Sequence, residues 1–145
     1  MAEPNPEELL NLGMLSYEKQ DFSKARKYFE KACDLNNGWG CNGLGVLYKD
    51  GQGVEKNLTK AAYFYSKACE LKEGDGCDAL GGLYYNGDGV KQDSKKAVVL
   101  FEKACKLGYK KACEIFSLEV LCRLSDLKAC GMSYDKRKAL RFLGG

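Results

Sequence analysis

The chain has 145 residues, 30% of them charged and 45% hydrophobic, with eight Cys, 17 Gly, two Pro and no His. Such a length fits one or two small domains with a sizeable core, the composition is neither collagen-like nor disordered, and no apolar run approaches the roughly 18 residues of a membrane span. The absence of His excludes a Ser-His-Asp triad, a His general base and a His metal ligand, and the net charge of +3 resides in residues 132–145, because residues 1–131 carry 19 basic and 19 acidic side chains.

The N-terminal Met1-Ala2-Glu3-Pro4 is acidic and has no apolar h-region, so no signal peptide is expected in this chain. Helical spacing predicts a first helix at about Pro6–Lys19 and, after the tight turn Tyr17–Phe22, a second over Ser23–Leu35. The second places Ala25, Tyr28, Phe29 and Ala32 on one face, with Ser23 as its expected N-cap and Asn36-Asn37-Gly38 as C-cap chemistry. A helix at about Cys41–Lys49 leads into the loop Gly51-Gln52-Gly53-Val54, where Gly supplies positive φ and Val packs back on the helices. Asn57 caps the next helix, which ends in Tyr65-Ser66-Lys67-Ala68-Cys69-Glu70-Leu71. The series then recurs: a helix at about Cys77–Asn86, the loop Gly87-Asp88-Gly89-Val90, the cap Asp93 and the ending Phe101–Leu107. No segment alternates β-branched residues, so essentially no sheet is predicted.

The recurrence has a period of 36, set by Cys33, Cys69 and Cys105 and again by Cys41, Cys77 and Cys113. The Lys-Ala steps at 24–25, 60–61 and 96–97 and the pairs Leu44-Gly45 and Leu80-Gly81 keep it. Two-helix units at such a period imply an α-solenoid. The predicted fold is all-α, a right-handed, disulfide-stapled α-solenoid of antiparallel helix pairs. It forms a single repeat domain over 1–145, with units at about 5–36, 37–72 and 73–108 and an irregular C-terminal capping unit at 109–145. From Leu12 to Leu44 the step is 32, so the first unit lacks four loop residues.

The pattern Leu44-Gly45, Tyr48, Gly51, Gly53, Val54, Asn57, Lys60-Ala61, Tyr65 and Ala68 resembles the Sel1-like repeat, a relative of the tetratricopeptide repeat. It returns at Leu80-Gly81, Tyr84, Gly87, Gly89, Val90, Asp93, Lys96-Ala97, Phe101 and Ala104. With its added Cys pairs, the stretch over about residues 5–116 is similar to the Helicobacter cysteine-rich proteins, a disulfide-stapled Sel1-like family. The short first turn is similar to that of a tetratricopeptide repeat.

Four Cys pairs share a separation of eight: Cys33/Cys41, Cys69/Cys77, Cys105/Cys113 and Cys122/Cys130. Antiparallel helices joined by a short turn bring such positions within disulfide reach, and each bridge would contribute about 2.5 kcal/mol in the chain-entropy model. Buried thiols are the competing reading. A zinc or redox site finds no C-x-x-C pair and no His, so no metal and no cofactor is expected. Eight Cys favour an oxidising compartment, hence a secreted or periplasmic location. The fourth pair is off register, since Leu118–Cys130 aligns with Phe101–Cys113 at a shift of 17. One long helix from Lys110 to about Leu124 would accommodate that irregular end.

The resemblance also implies weak β-lactamase or penicillin-binding activity. S-x-x-K occurs at Ser16/Lys19, Ser125/Lys128 and Ser133/Lys136, but K-T-G is absent and Ser125-Asp126 is followed by Leu127. Helix surface or cap is the simpler role for each. Gly-x-Gly-Val lacks the third Gly and the Gly-Lys-Ser/Thr ending of phosphate loops. A nucleic-acid partner would be met by a basic stripe over the fold, whereas the excess here sits in Lys136, Arg137, Lys138 and Arg141 of the tail.

The remaining site is a groove. In stacked helix pairs the first helix lines the concave side, and positions i, i+4 and i+7 share a face. These are Leu10/Met14/Tyr17, Asn42/Val46/Lys49, Asp78/Gly82/Tyr85 and Glu114/Leu118/Leu121, which vary while the Lys-Ala-Cys framework repeats. Tyr17, Asn42, Val46, Lys49, Asp78, Tyr85 and Glu114 are the candidate binding residues, and no catalytic residue is assigned. The expected function is non-catalytic binding of a protein or peptide by a monomer. A weak β-lactam hydrolase and an engineered repeat protein without natural function are the alternatives.

Overall fold

Six α-helices of 13 residues each follow one another in the computed structural model, which describes residues 4–115. They are α1 (Pro6–Glu18), α2 (Phe22–Asp34), α3 (Gly38–Asp50), α4 (Leu58–Glu70), α5 (Gly74–Asn86) and α6 (Ser94–Lys106). A further helix opens over 110–115, and no strand occurs among the described residues. Each helix packs mainly on its sequence neighbours, while α3 also touches α1 and α5 lightly. The chain is therefore an α-solenoid of antiparallel helix pairs.

Five of the six helices start from a side-chain cap, α5 being the exception. Asp21, Asn57 and Asp93 accept from the backbone N–H groups of Lys24, Lys60 and Lys96 at 3.2, 3.0 and 3.0 Å, satisfying donors that the helix leaves orphaned. Ser23, the expected cap, lies inside α2, because the 36-residue register that places Asn57 and Asp93 places the first cap at Asp21. Asn36-Asn37-Gly38 divides between two helices. Asn36 takes the left-handed conformation that ends α2 (φ 64°), Asn37 caps α3 through the Gly40 N–H at 2.9 Å, and Gly38 opens α3. Thus α3 and α5 start three residues ahead of Cys41 and Cys77, where the sequence pattern placed them.

Phe29, Tyr65 and Phe101, one per unit, are buried between the paired helices. Each ring lies against a glycine of the preceding helix. A Cβ at Gly45 would stand 2.5 Å from the Tyr65 ring, and one at Gly81 2.6 Å from Phe101, so the Leu-Gly pair is demanded by close approach. The framework tyrosines also pack: Lys60 Nζ lies 5.3 Å from the Tyr48 ring centroid and Lys96 Nζ 4.4 Å from that of Tyr84. Gly53 (φ 70°) lies against the Phe22 backbone of the previous unit, and Val54 packs into that unit's core. Residues 51–57 join α3 to α4, whereas only 19–21 join α1 to α2, so the first loop is shorter by four residues.

Between pairs, Cys33–Cys41, Cys69–Cys77 and Cys105–Cys113 form disulfides, each with a Cα–Cα distance of 4.6 Å. The pair Cys122–Cys130, the expected long helix to about Leu124, the rest of the capping unit and the basic tail lie outside the described residues. Among the described residues no helix is long and apolar enough to cross a membrane.

Candidate functional site

Two adjoining grooves run between successive first helices. The first, of about 370 Å³, lies between α1 and α3 and is lined by Leu10, Met14 and Tyr17 on one side and Trp39, Asn42 and Val46 on the other, with Phe29 also lining it. The second, of about 240 Å³, lies between α3 and α5. It shares Asn42 and Val46 with the first and adds Lys49, Asp75, Asp78, Gly82, Asp88 and Tyr109. Period-four spacing on each first helix brings these side chains to one face.

Most of the expected face residues meet there. Tyr17, Asn42 and Val46 line the first groove, and Asn42, Val46, Lys49 and Asp78 the second. Tyr85 instead packs with Ala97, Phe101 and Ile115. Glu114 is half-buried and lines neither groove, while Leu118 and Leu121 lie outside the described residues. The sequence reading missed Trp39, Asp75 and Asp88. The first two stand three positions before Asn42 and Asp78, so extending the helical face back by one turn finds them.

The grooves differ electrostatically. The first is almost wholly apolar, with Met14 and Trp39 each 47% exposed. The second carries three aspartates and Lys49. Burial pushes the Tyr109 hydroxyl up to about 12, and Asp78 and Asp75 add to the shift. Burial likewise raises Tyr65 in that groove, with Asp50 and Tyr17 contributing. Tyr17 is oriented by donating from its hydroxyl to Gln52 Oε1 at 3.2 Å. At the shared wall, the Asn42 side-chain oxygen is shielded from solvent without a hydrogen-bond partner.

The S-x-x-K serine inside the described residues is not poised as a nucleophile. Ser16 is buried, and its hydroxyl donates to the Leu12 carbonyl of its own helix at 2.8 Å. Ser125/Lys128 and Ser133/Lys136 lie outside the described residues. Among the described residues no group of His, Cys, Asp and Glu is arranged to hold a metal ion.

The Sel1 repeat family matches residues 40–73 and 74–114, and the tetratricopeptide repeat matches residues 6–39. HcpC of Helicobacter pylori strain J99, a provisionally named β-lactamase, is 64% identical over 58 residues, which are 40% of this chain and 20% of that protein. The protein named beta-lactamase HcpA from the same strain is 53% identical over 58 residues, 40% of this chain and 23% of its own. The matched segment thus spans about a fifth of these relatives. Among solved structures, Helicobacter pylori cysteine rich protein B superposes with a TM-score of 0.62 at 50% identity, covering 67% of this chain and 71% of that one. An Escherichia coli protective antigen, c5321, superposes with a TM-score of 0.77 at 28% identity over 94% of this chain and 31% of its own.

Proposed function

Because the chain belongs to the Sel1 repeat family, we propose that it is a non-catalytic scaffold that binds a protein or peptide along the face of α1, α3 and α5. The observation that carries this reading is the pair of adjoining grooves, whose lining varies between units while the framework repeats. In this reading the face is the concave side of the solenoid, and Tyr17, Asn42, Val46, Lys49 and Asp78 are its contact residues. The protein is a monomer of units at about 5–36, 37–72 and 73–108 with a modified cap at 109–145. Its place is secreted or periplasmic, which the three disulfides and the cysteine-rich relatives support.

The names of the Helicobacter relatives favour a second reading, weak β-lactam hydrolysis. Against it stands the Ser16 hydroxyl, already held by a helix carbonyl. One set of variants separates the two. A partner recovered from periplasmic extract should be lost with Val46→Arg and kept with Tyr63→Arg, which changes an exposed residue outside both grooves. Nitrocefin should show no turnover. Hydrolysis abolished by Ser16→Ala, Ser125→Ala or Ser133→Ala would overturn the scaffold reading.

A further inference from the structure

Along the outer face of α1, burial departs from the repeat. Leu12 and Leu15 are 39% and 52% exposed, whereas their counterparts Leu44, Leu47, Leu80 and Leu83 are at most 5% exposed. Leu44 and Leu47 cluster with Ala25 and Phe29 of α2, and Leu80 and Leu83 with Ala61 and Tyr65 of α4. The face on α1 is not shaped for another helix of that kind. The step of 32 that relates Leu12 to Leu44 places Glu8 at the position of Gly40 and Asn11 at that of Gly43. Those glycines let α2 approach: a Cβ at Gly40 would stand 2.8 Å from the Ala32 methyl, and one at Gly43 2.8 Å from the Phe29 ring. Glu and Asn side chains hold a covering helix farther off, at the ordinary helix separation of about 8–10 Å. Glu8, Leu12, Leu15 and Lys19, all exposed, follow at helical steps of four, three and four, so they form one stripe. It is acidic at its N-terminal end, apolar in the middle and basic at its C-terminal end. The crevice beside it, of about 140 Å³, adds Tyr28 and the oppositely charged Asp21 and Lys24.

We infer that this stripe docks on the same stripe of a second copy of the chain, about a two-fold axis with the two α1 helices antiparallel. In that register Leu12 faces Leu15 of the second copy and Glu8 faces its Lys19, and the symmetry makes each contact twice. A parallel pair would set Glu8 against Glu8 and Lys19 against Lys19, so charge complementarity selects the antiparallel one. Glu8 Oε1 accepts from Asn5 Nδ2 at 3.2 Å, and a carboxylate takes further donors. Two 13-residue helices meeting along one face bury less than the about 1,200 Å² of a standard interface. The chain therefore stays a monomer in dilute solution and pairs as it is concentrated. Leu10, Met14 and Tyr17 lie on the opposite side of α1, so pairing leaves the first groove of each copy open.

Sedimentation equilibrium of the full oxidised chain, from about 10 μM to about 1 mM, reads the pairing. The average mass should rise from 16.1 kDa toward twice that value, with a Kd of about 0.1–0.5 mM. Leu12→Ser/Leu15→Ser, which changes only exposed residues, should abolish the rise. Glu8→Lys and Lys19→Glu should each weaken pairing about tenfold at low salt, because each sets like charges together at both ends of the stripe. Mixed in equal amounts, those two variants should pair as tightly as the parent, since each offers the other the opposite charge at both ends. A parent chain that keeps the mass of one copy at the top of the range, or a rise that survives the Leu→Ser changes, would overturn the inference. A mixture of charge variants that stays monomeric, with each folded by circular dichroism, would overturn the antiparallel register. A mass that climbs past two copies would mean end-to-end stacking of units in place of the two-fold pair. Each of these outcomes is separate from the groove reading, which Val46→Arg tests.

Discussion

At the start of α5 a carboxylate stands where the start of α3 has an amide. Asn37 accepts from the Gly40 N–H at 2.9 Å, whereas Glu73, 36 residues on, makes no side-chain cap bond. The Gly76 N–H turns instead to the Glu73 backbone carbonyl at 3.1 Å. Burial, and then Asp75, raise the Glu73 carboxyl above its ordinary value. A carboxyl raised in the folded state favours folding most when protonated. Its contribution is thus present below the ordinary carboxylate range and lost as pH rises through the raised folded value. Glu73→Asn restores a cap and removes the desolvated charge. It should stabilise the protein by about 1 kcal/mol at neutral pH, and its advantage over the parent should widen between pH 4 and pH 7 in thermal unfolding. A constant or shrinking gap would contradict the assignment.

At the level of elements, each joint between helix pairs is a tight turn with a disulfide beside it. Gly40 and Gly76 let α3 and α5 approach α2 and α4. A Cβ on either would stand 2.8 or 2.7 Å from the methyl of Ala32 or Ala68. Removing the middle staple with Cys69→Ala/Cys77→Ala should cost about 2.5 kcal/mol, since a loop this short restricts the unfolded chain only moderately. Urea unfolding would show it as a lower midpoint at nearly constant slope, and an unchanged midpoint would mean the bridge constrains nothing that folding does not already fix. The second helices were legible from their period, because Phe29, Tyr65 and Phe101 stay in register with Cys33, Cys69 and Cys105. The starts of α3 and α5 were not. Glycine disfavours helix by local propensity, so Gly38-Trp39-Gly40 and Gly74-Asp75-Gly76 read as loop, while close packing against the preceding helix makes them its first turn.

For the whole molecule, the face was legible as far as helical spacing reaches. Leu10, Met14 and Tyr17 do meet Asn42 and Val46, because α1 and α3 run side by side. Tyr85 departs from the pattern because Phe101 and Ile115 offer its ring an apolar contact, and Asp88 enters from a loop that no periodicity governs. Packing by neighbours alone also shapes stability: a solenoid behaves as a row of units coupled only to the next. Phe101 belongs to a core cluster with Ala97 and Ile115, whereas Phe29 clusters with Ala25, Cys33, Cys41 and Leu44 at the other end. Phe101→Ala should therefore remove about 3–4 kcal/mol mainly from the α5–α6 end. Native-state hydrogen exchange should show the largest loss of protection in α5 and α6, a smaller one in α4, and the least in α1 and α2. Equal loss in all six helices would mean that the helices unfold as one cooperative unit, with coupling that reaches past neighbouring pairs.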